Sequence, residues 1–443
     1  MEKSKSEVEI EWIKSTLFPE IIKNKHFRED NSLSGNINDP VKLNDVQVRF
    51  IGSEEAFMLT TCYRAVITLE EGDSGPKTTT IIVKKTPNVP QEIFDVVQFA
   101  ALFNNEILTY NLILPAIEKF AQQSLNIPRF YFGELQKSSA IVSLEDFGTR
   151  NWRVANKKTN LSLPHALAAV RNLGIFHGTG FAWRHKHRDE FDRLTKGLKE
   201  SRYEVVDLHP IWGLKVKYGA ERSINVTRKY QPQIDDKFLD RYHKLIGNFL
   251  GFGRKMMTPV EPLVTLCHGD YLRNNIAFKY ADSKGTEEPI DSLMFDMQTM
   301  RVCSPMLDFA TFLSLSTYTY VREKCFDEIF DTYYDQLTTA FKKHTQAAQL
   351  PEFLSRDCLL REYWRYLPYT ISITSYFLME LVEPEDFTSE DYMAQEMTEE
   401  EVRENTMKRG GEEVDRELSH QIRELYELVQ AHNLDIFEGF DYV

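Results

Sequence analysis

Hydrophobic and polar positions change period several times along the chain, and each change predicts an element. Residues 1–20 are charged but carry Val8, Ile10, Trp12, Ile13 and Leu17, which predicts an amphipathic helix. Residues 31–45 are rich in Asn, Asp, Ser and Gly and read as a linker or loop. Two runs of strand character follow: 62–69, where Tyr63, Ala65, Ile67 and Leu69 alternate with other residues, and 78–85, rich in Thr, Ile and Val. Gly72, Asp73, Gly75 and Pro76 lie between them, so the pair predicts a β-hairpin. From 91 to 120 the period becomes helical, with Ile93, Val96, Val97, Ala100, Phe103, Ile107, Tyr110 and Leu114 on one stripe. Residues 140–144 predict another strand. Beyond Leu163 the pattern is mainly helical, interrupted by a strand-like interval at 275–297. The expected fold is α+β: an N-terminal helix and linker (1–45), a small β-rich lobe with one long helix (46–148), and a larger, mainly helical lobe (149–443).

Composition narrows the class. The 443 residues suit two or three lobes, and 42% hydrophobic residues suffice for packed cores. A net charge of −14 and a pI near 5.4 argue against a general nucleic-acid binder, which needs a basic stripe. Most of that charge is local: residues 383–417 hold 14 acidic and four basic side chains, a net of −10. The segment reads as a solvated loop or partly helical flap. Just before it, Tyr363, Trp364, Tyr366, Tyr369, Tyr376 and Phe377 recur at roughly helical spacing. This predicts core packing, with a wall for a flat lipophilic substrate as the alternative. Five cysteines without CxxC spacing fit neither a zinc knuckle nor a disulfide framework. No secretory-type apolar stretch opens the chain, and residues 366–379, the longest apolar-leaning stretch, are too short to span a bilayer. A cytoplasmic protein with no membrane and no nucleic-acid partner is expected.

The densest polar cluster is Cys267-His268-Gly269-Asp270-Tyr271-Leu272-Arg273-Asn274-Asn275. Two short alternating runs follow, Ile276 and Phe278 in the first, Leu293 and Phe295 in the second, with a turn-like stretch between. Antiparallel pairing of these strands should set Asn275 opposite Asp296. Asp270, Asn275 and Asp296 would then make an oxygen-rich site suited to magnesium bridging phosphates. A second clue is Glu106, which falls on or beside the buried stripe of the long helix, where a carboxylate is costly unless paired. The nearest upstream strand cation is Lys84 or Lys85. A strand lysine held by a helix glutamate is how kinases grip nucleotide phosphates, although a purely structural ion pair would leave the same pattern.

These blocks resemble the ecdysteroid kinase-like (CHK-like) family, within the wider group of aminoglycoside phosphotransferases and choline kinases. The resemblance rests on His-Gly-Asp followed five residues later by Asn275, on Phe295-Asp296-Met297-Gln298, and on Ser304-Pro305-Met306-Leu307-Asp308-Phe309. It extends upstream to Ile82-Val83-Lys84-Lys85-Thr86-Pro87, Phe103-Asn104-Asn105-Glu106, Leu144-Glu145-Asp146-Phe147-Gly148 and Leu173-Gly174-Ile175-Phe176-His177, in family order over roughly residues 46–320. It implies a two-lobed, protein-kinase-like fold and an ATP- and magnesium-dependent kinase for a small lipophilic alcohol, such as an ecdysteroid or another hydroxylated molecule. By the same resemblance, Lys84 holds the α- and β-phosphates and Glu106 orients it. Asp270 orients the substrate hydroxyl or accepts its proton, Asn275 and Asp296 hold magnesium, and Glu145 to Phe147 form a hinge whose backbone meets adenine. Asp308 and His268 brace the catalytic loop.

Three features qualify this expectation. Asp146-Phe147-Gly148 is a literal DFG, yet it precedes His-Gly-Asp and so cannot be the magnesium-binding triplet of the kinase order. No GxxxxGK[ST] occurs, which excludes a Walker-type loop. Glu54 and Glu55 occupy the segment expected to cover the phosphates, where they would repel a polyphosphate unless they face solvent. A catalytically inactive nucleotide or hormone binder, a magnesium-dependent phosphohydrolase, and a kinase for a choline-like or xenobiotic alcohol therefore remain as alternatives.

Overall fold

A computed structural model of the chain describes residues 5–23, 41–52, 59–71, 75–156, 159–281, 288–384 and 396–443. Glu54 and Glu55 lie outside the described residues. The chain divides into two units. The first takes in the described residues up to Asp95 together with Ile127–Trp152; the second takes in Val96–Asn126 and the described residues from Arg153 onward.

The first unit opens with α1 (Lys5–Trp12), a π-helical turn (Ile13–Leu17) and α2 (Phe18–Lys23). A five-stranded antiparallel sheet follows: β1 (Val41–Ile51), β2 (Thr61–Glu71), β3 (Pro76–Lys85), β4 (Phe130–Leu135) and β5 (Ala140–Glu145), in the order β1-β2-β3-β5-β4. The alternation read from the sequence becomes the buried face: Tyr63, Ala65, Ile67, Leu69, Ile81 and Val83 pack with Ile13, Leu17, Phe18 and Ile21 of the N-terminal helical segment. The hairpin pairs Thr61 with Lys85 and Glu70 with Pro76. β1 begins inside the segment expected to be a loop. Its Val41, Leu43, Val46 and Val48 are only partly buried, and the pairing register shifts between Leu43 and Asp45. That bulge breaks the period of two, which is why the strand is hard to see in the sequence.

The single helix expected over 91–120 is divided. α3 (Gln91–Val96) stops before Gln98, which has φ 62° and cannot sit inside a right-handed helix. α4 (Phe99–Leu108) then runs through a π-helical turn (Thr109–Ile113) into α5 (Leu114–Ala121). After β6 (Trp152–Val154), the second unit continues with α6 (Leu163–Lys186), α7 (Arg188–Thr195), α8 (Pro210–Tyr230), α9 (Asp236–Gly247) and α10 (Phe249–Met257). Four short strands come next: β7 (Thr265–Cys267), β8 (Ile276–Tyr280), β9 (Pro289–Met294) and β10 (Arg301–Cys303). The chain ends with α11 (Met306–Ser316), α12 (Thr319–Thr345), α13 (Arg356–Val382), α14 (Glu399–Lys408) and α15 (Gly411–His432). α6 and α12 meet backbone to backbone. A Cβ at Gly174 would stand 2.5 Å from the Tyr333 carbonyl oxygen, and one at Gly178 would stand 2.2 Å from that of Leu337. Glycine at these positions lets the two helices close on each other.

Four of the six aromatics read on α13 are core: Tyr363, Tyr366, Tyr369 and Tyr376 are buried, and the Tyr366 hydroxyl donates to the Met256 carbonyl at 2.8 Å, whereas Trp364 and Phe377 are half-buried. Of the two readings of the acidic segment, the partly helical one matches its described part, most of which forms α14 and the first turns of α15. Buried Arg222 of α8 donates to the carbonyls of Thr406 (2.8 Å) and Arg409 (2.7 Å) and pairs with Asp415 (2.7 Å). Arg322 pairs with buried Glu417 at 2.7 Å, and Glu380 with Lys215 and Arg409 at 2.7 Å each. Part of the charge run is therefore internal, where a carboxylate is tolerated because a cation meets it. Among the described residues no helix is long and apolar enough to cross a membrane.

Candidate active site

The loop from His268 to Asn275 leaves β7, which pairs antiparallel with β10 so that Cys267 stands opposite Arg301. Gly269 has φ 84°, and a Cβ there would lie 2.1 Å from the Thr299 carbonyl oxygen. Both the left-handed backbone and the close approach demand glycine. Gly269→Ala is accordingly expected to cost about 1–2 kcal/mol from the backbone conformation alone, before the clash is relieved. A lowered urea midpoint would show this; an unchanged midpoint would contradict it.

Asp308, in the first turn of α11, holds this loop. Its Oδ2 accepts the His268 N–H at 2.6 Å and its Oδ1 the Gly269 N–H at 2.7 Å, while His177 Nε2 lies 3.1 Å from Oδ2. The other ring nitrogen of His177 bonds the Tyr333 hydroxyl at 2.8 Å, so the close α6–α12 packing delivers His177 to Asp308. All of these groups are fully buried. Burial by itself would raise the Asp308 pKa, but the hydrogen bond and charge of His177, the His268 ring and the Gly269 N–H outweigh it and hold it below the usual carboxylate value. His268 Nε2 donates to the Phe295 carbonyl at 2.8 Å. A carbonyl only accepts, so the proton sits on Nε2, and the buried Nδ1 has no hydrogen-bond partner among the described residues. Cys267 lies beside His177 and Asp308, but burial pushes its thiol up and Asp308 is filled by amides. His177 and Asp308 form the hydrogen-bonded brace, whereas the Cys267 thiol is turned to the carbonyls of Cys303 and Ser304.

Asp270 projects from the braced loop with its side chain 30% exposed. Asn275 Nδ2 donates to the Asp270 carbonyl at 2.9 Å and to its Oδ2 at 3.1 Å, and Arg202 donates to Oδ1 at 3.3 Å. Because the Asn275 amide nitrogen faces Asp270, its oxygen is turned away, and no hydrogen bond reaches that oxygen among the described residues. An oxygen of this kind suits a hard cation.

The β8–β9 hairpin pairs Ile276 with Met294, and the Phe295 N–H donates to the Asn275 carbonyl at 3.0 Å. Asn275 therefore stands opposite Phe295, and Asp296 lies one residue beyond. This corrects the expected direct pairing of Asn275 with Asp296. Asp296 has φ 68° and ψ 71°, in the left-handed region. There the chain leaves the strand for a 3₁₀ turn (Met297–Thr299), which breaks the alternation the sequence argument relied on.

Glu106 is fully buried in α4 of the second unit. Its neighbour Asn105, also fully buried, ties α4 to two chain segments: Nδ2 donates to the carbonyls of Lys199 (2.8 Å) and Gln298 (3.1 Å), and Oδ1 accepts the Lys199 N–H at 2.8 Å. Lys84 belongs to β3 of the first unit, is 8% exposed, and lies between Cys62 and Val142 on the neighbouring strands. Lys85 occupies the opposite face, where it pairs with Glu9 and sits 5.9 Å above the Trp12 ring. Strand alternation thus separates the two lysines that the sequence left open. The Glu145 carboxylate is taken by Arg150 (2.7 Å) and the Arg129 N–H (3.1 Å). Asp146 accepts the Gly148 N–H at 3.0 Å and pairs with Arg64 at 2.8 Å, so the literal DFG caps a 3₁₀ turn, Phe147–Arg150.

Sequence reasoning missed Asn105, Glu200, Arg202 and Arg301. Asn105 had a signal, a polar amide on a buried stripe beside Glu106. Arg202 had none, because only the tertiary fold brings it to Asp270.

A carboxylate-braced loop carrying one partly exposed Asp, in a protein with an antiparallel N-terminal sheet and a mainly helical remainder, fits the kinase-like α+β small-molecule phosphotransferase class that the family match assigns. The ecdysteroid kinase-like family model matches residues 54–346, and the chain belongs to that family. Among solved structures, the chain is similar to an aminoglycoside-3'-phosphotransferase of type VIII (14% identity, 71% of this chain and 93% of that one, TM-score 0.28). It is also similar to an aminoglycoside phosphotransferase from Streptomyces rimosus ATCC10970 in complex with ADP and streptomycin (12% identity, 63% and 90%, TM-score 0.24). Both TM-scores are low, and it is the family match that assigns the chain. No curated protein matches it.

Proposed function

We propose that the protein transfers the γ-phosphoryl group of ATP, with magnesium, to a hydroxyl of a small lipophilic molecule such as an ecdysteroid. The observation that carries this reading is the Asp270 loop: two backbone amides clamped by buried Asp308, with Asp270 held toward solvent by Asn275. Asp270 receives the acceptor hydroxyl. The acceptor oxygen bonds to Pγ as the bond from Pγ to the bridging oxygen breaks, ADP leaves with that electron pair, and the hydroxyl proton passes to Asp270 and then to solvent. Such transfer is largely dissociative, so positioning matters more than early proton removal. Asn275, through its outward amide oxygen, and Asp296 would hold magnesium, whose charge offsets that of the phosphates. Lys84 engages the α- and β-phosphates with Glu106 orienting it, and the backbone of the Glu145 to Phe147 segment meets adenine. No disulfide joins the five cysteines, which fits a reducing cytoplasm.

Incubation with ATP, magnesium and a panel of ecdysteroids, read by mass, is expected to yield a phosphorylated alcohol. Free phosphate without such a product would favour a hydrolase, and saturable ATP binding without turnover an inactive binder. Asp296→Ala is expected to remove the magnesium dependence of ATP binding; calorimetry with and without the ion tests this, and an unaltered dependence would exclude Asp296 as a ligand.

A further inference from the structure

Arg202 lies between α7 and α8, in a segment built rigidly against the catalytic loop. Asn105 grips Lys199 through both its backbone groups. Glu200 Oε1 accepts the N–H groups of Arg202 (2.7 Å) and Tyr203 (3.2 Å), while Oε2 pairs with Arg301. Arg301 stands against the loop, its Nε 2.9 Å from where a Cβ on Gly269 would be. The backbone of Arg202 is thus fixed from both sides.

Its guanidinium is not. A guanidinium has five N–H donors, and among the described residues this one makes a single side-chain hydrogen bond, to Asp270 at 3.3 Å. That is longer than a well-made charge-assisted bond. The side chain keeps 18% of its surface exposed, beside Asp270 at 30%. The nearby phenols of Tyr203 and Tyr369 are bonded to each other. Cationic acceptors are usually met by carboxylates or open aromatic faces, whereas here an arginine stands at the acceptor acid.

Resting on the phosphotransferase reading above, we propose that Arg202 is a specificity-determining residue of the acceptor site. It donates to a second oxygen on the carbon next to the phosphorylated hydroxyl. Preferred acceptors are then uncharged or anionic vicinal oxygenates, such as 1,2-diols, α-hydroxyketones and α-hydroxy acids, and amino alcohols are poor ones. The geometry is direct: a hydroxyl donating to Asp270 Oδ1 sits beside the Arg202 amino group, so an oxygen on the adjacent carbon comes within hydrogen-bond reach of it. An ammonium group in that place would meet a like charge a few ångströms away, a penalty of roughly ten- to a hundredfold in affinity.

The test compares three steroids of one skeleton, a vicinal diol, the matching mono-ol and the matching amino alcohol, on the full chain and on Arg202→Met and Arg202→Lys. The wild type is expected to favour the diol over the mono-ol by about tenfold in kcat/KM and to use the amino alcohol worst. Arg202→Met should erase the diol preference, chiefly through KM, and Arg202→Lys should restore part of it. Equal losses for diol and mono-ol would mean that Arg202 only steadies Asp270, and an amino alcohol used as well as the diol would likewise overturn the proposal. Calorimetric binding of the same steroids separates this from the parent reading. A diol preference in binding that depends on Arg202, without turnover, would keep the inference and sink the kinase. Turnover without that dependence would do the reverse.

Discussion

Asp270→Asn is expected to lower kcat for phosphoryl transfer by about 10²- to 10⁴-fold, the usual contribution of a positioned acid–base group, with ATP affinity nearly unchanged. Asparagine keeps the size of the side chain and an oxygen for Asn275 or Arg202, which now hold the carboxylate at 3.1 and 3.3 Å. It removes the charge and the second acceptor that orient an incoming hydroxyl. The effect should therefore fall on kcat and leave folding intact. Single-turnover kinetics and ATP calorimetry on the same preparation check this, and turnover within a factor of a few of wild type would remove Asp270 from its assigned role.

Asp308→Ala is expected to be the most destabilising single change near the site, by about 3–5 kcal/mol, the range for breaking a buried charged pair. It would leave the His268 and Gly269 amides and the His177 ring without their acceptor, in a region with no water access from the surface. The same carboxylate makes stability depend on pH. Its pKa is depressed in the folded chain, so its stabilisation is present above the unfolded value of about 3.9 and is lost as pH falls through the lower folded value. Asp308→Asn should flatten this acid limb below about pH 4 relative to the wild type. Denaturant unfolding at several pH values measures both effects. An Asp308→Ala variant as stable as the wild type, or an unchanged acid limb in Asp308→Asn, would contradict the bracing role.

Much of this arrangement was legible in the order of residues. The hairpin alternation of 62–69 and 78–85 is a local property, set by which side chains face one core, and it reappears residue for residue in β2 and β3. The loop chemistry was legible for a similar reason: His268, Gly269, Asp270 and Asn275 lie within one short segment, so their types and spacing carry the signal. The elements that were misread have specific physical causes. A bulge at Asn44 masked the period of β1, and a left-handed Gln98 divided a helix whose apolar stripe gave no sign of the break. The acidic composition of 383–417 left open how much of it is helical, because buried Arg222 and Arg322, far away in sequence, are what neutralise its Asp415 and Glu417.

Residue order alone was enough for the α+β class, the candidate acid Asp270 with its neighbour Asn275, and the family, since all of these depend on local periodicity and short-range spacing. Which of Lys84 and Lys85 turns away from the N-terminal helix needed the packed sheet, because alternation assigns faces only once one face has found its partner. The offset of Asp296 from Asn275 needed the actual register and a positive φ. The brace of His177 and Asp308, and the placing of Arg202 beside Asp270, join residues 131 and 68 positions apart. Contacts of that separation are made by the burial and helix packing of the whole second unit, so no local pattern could have announced them.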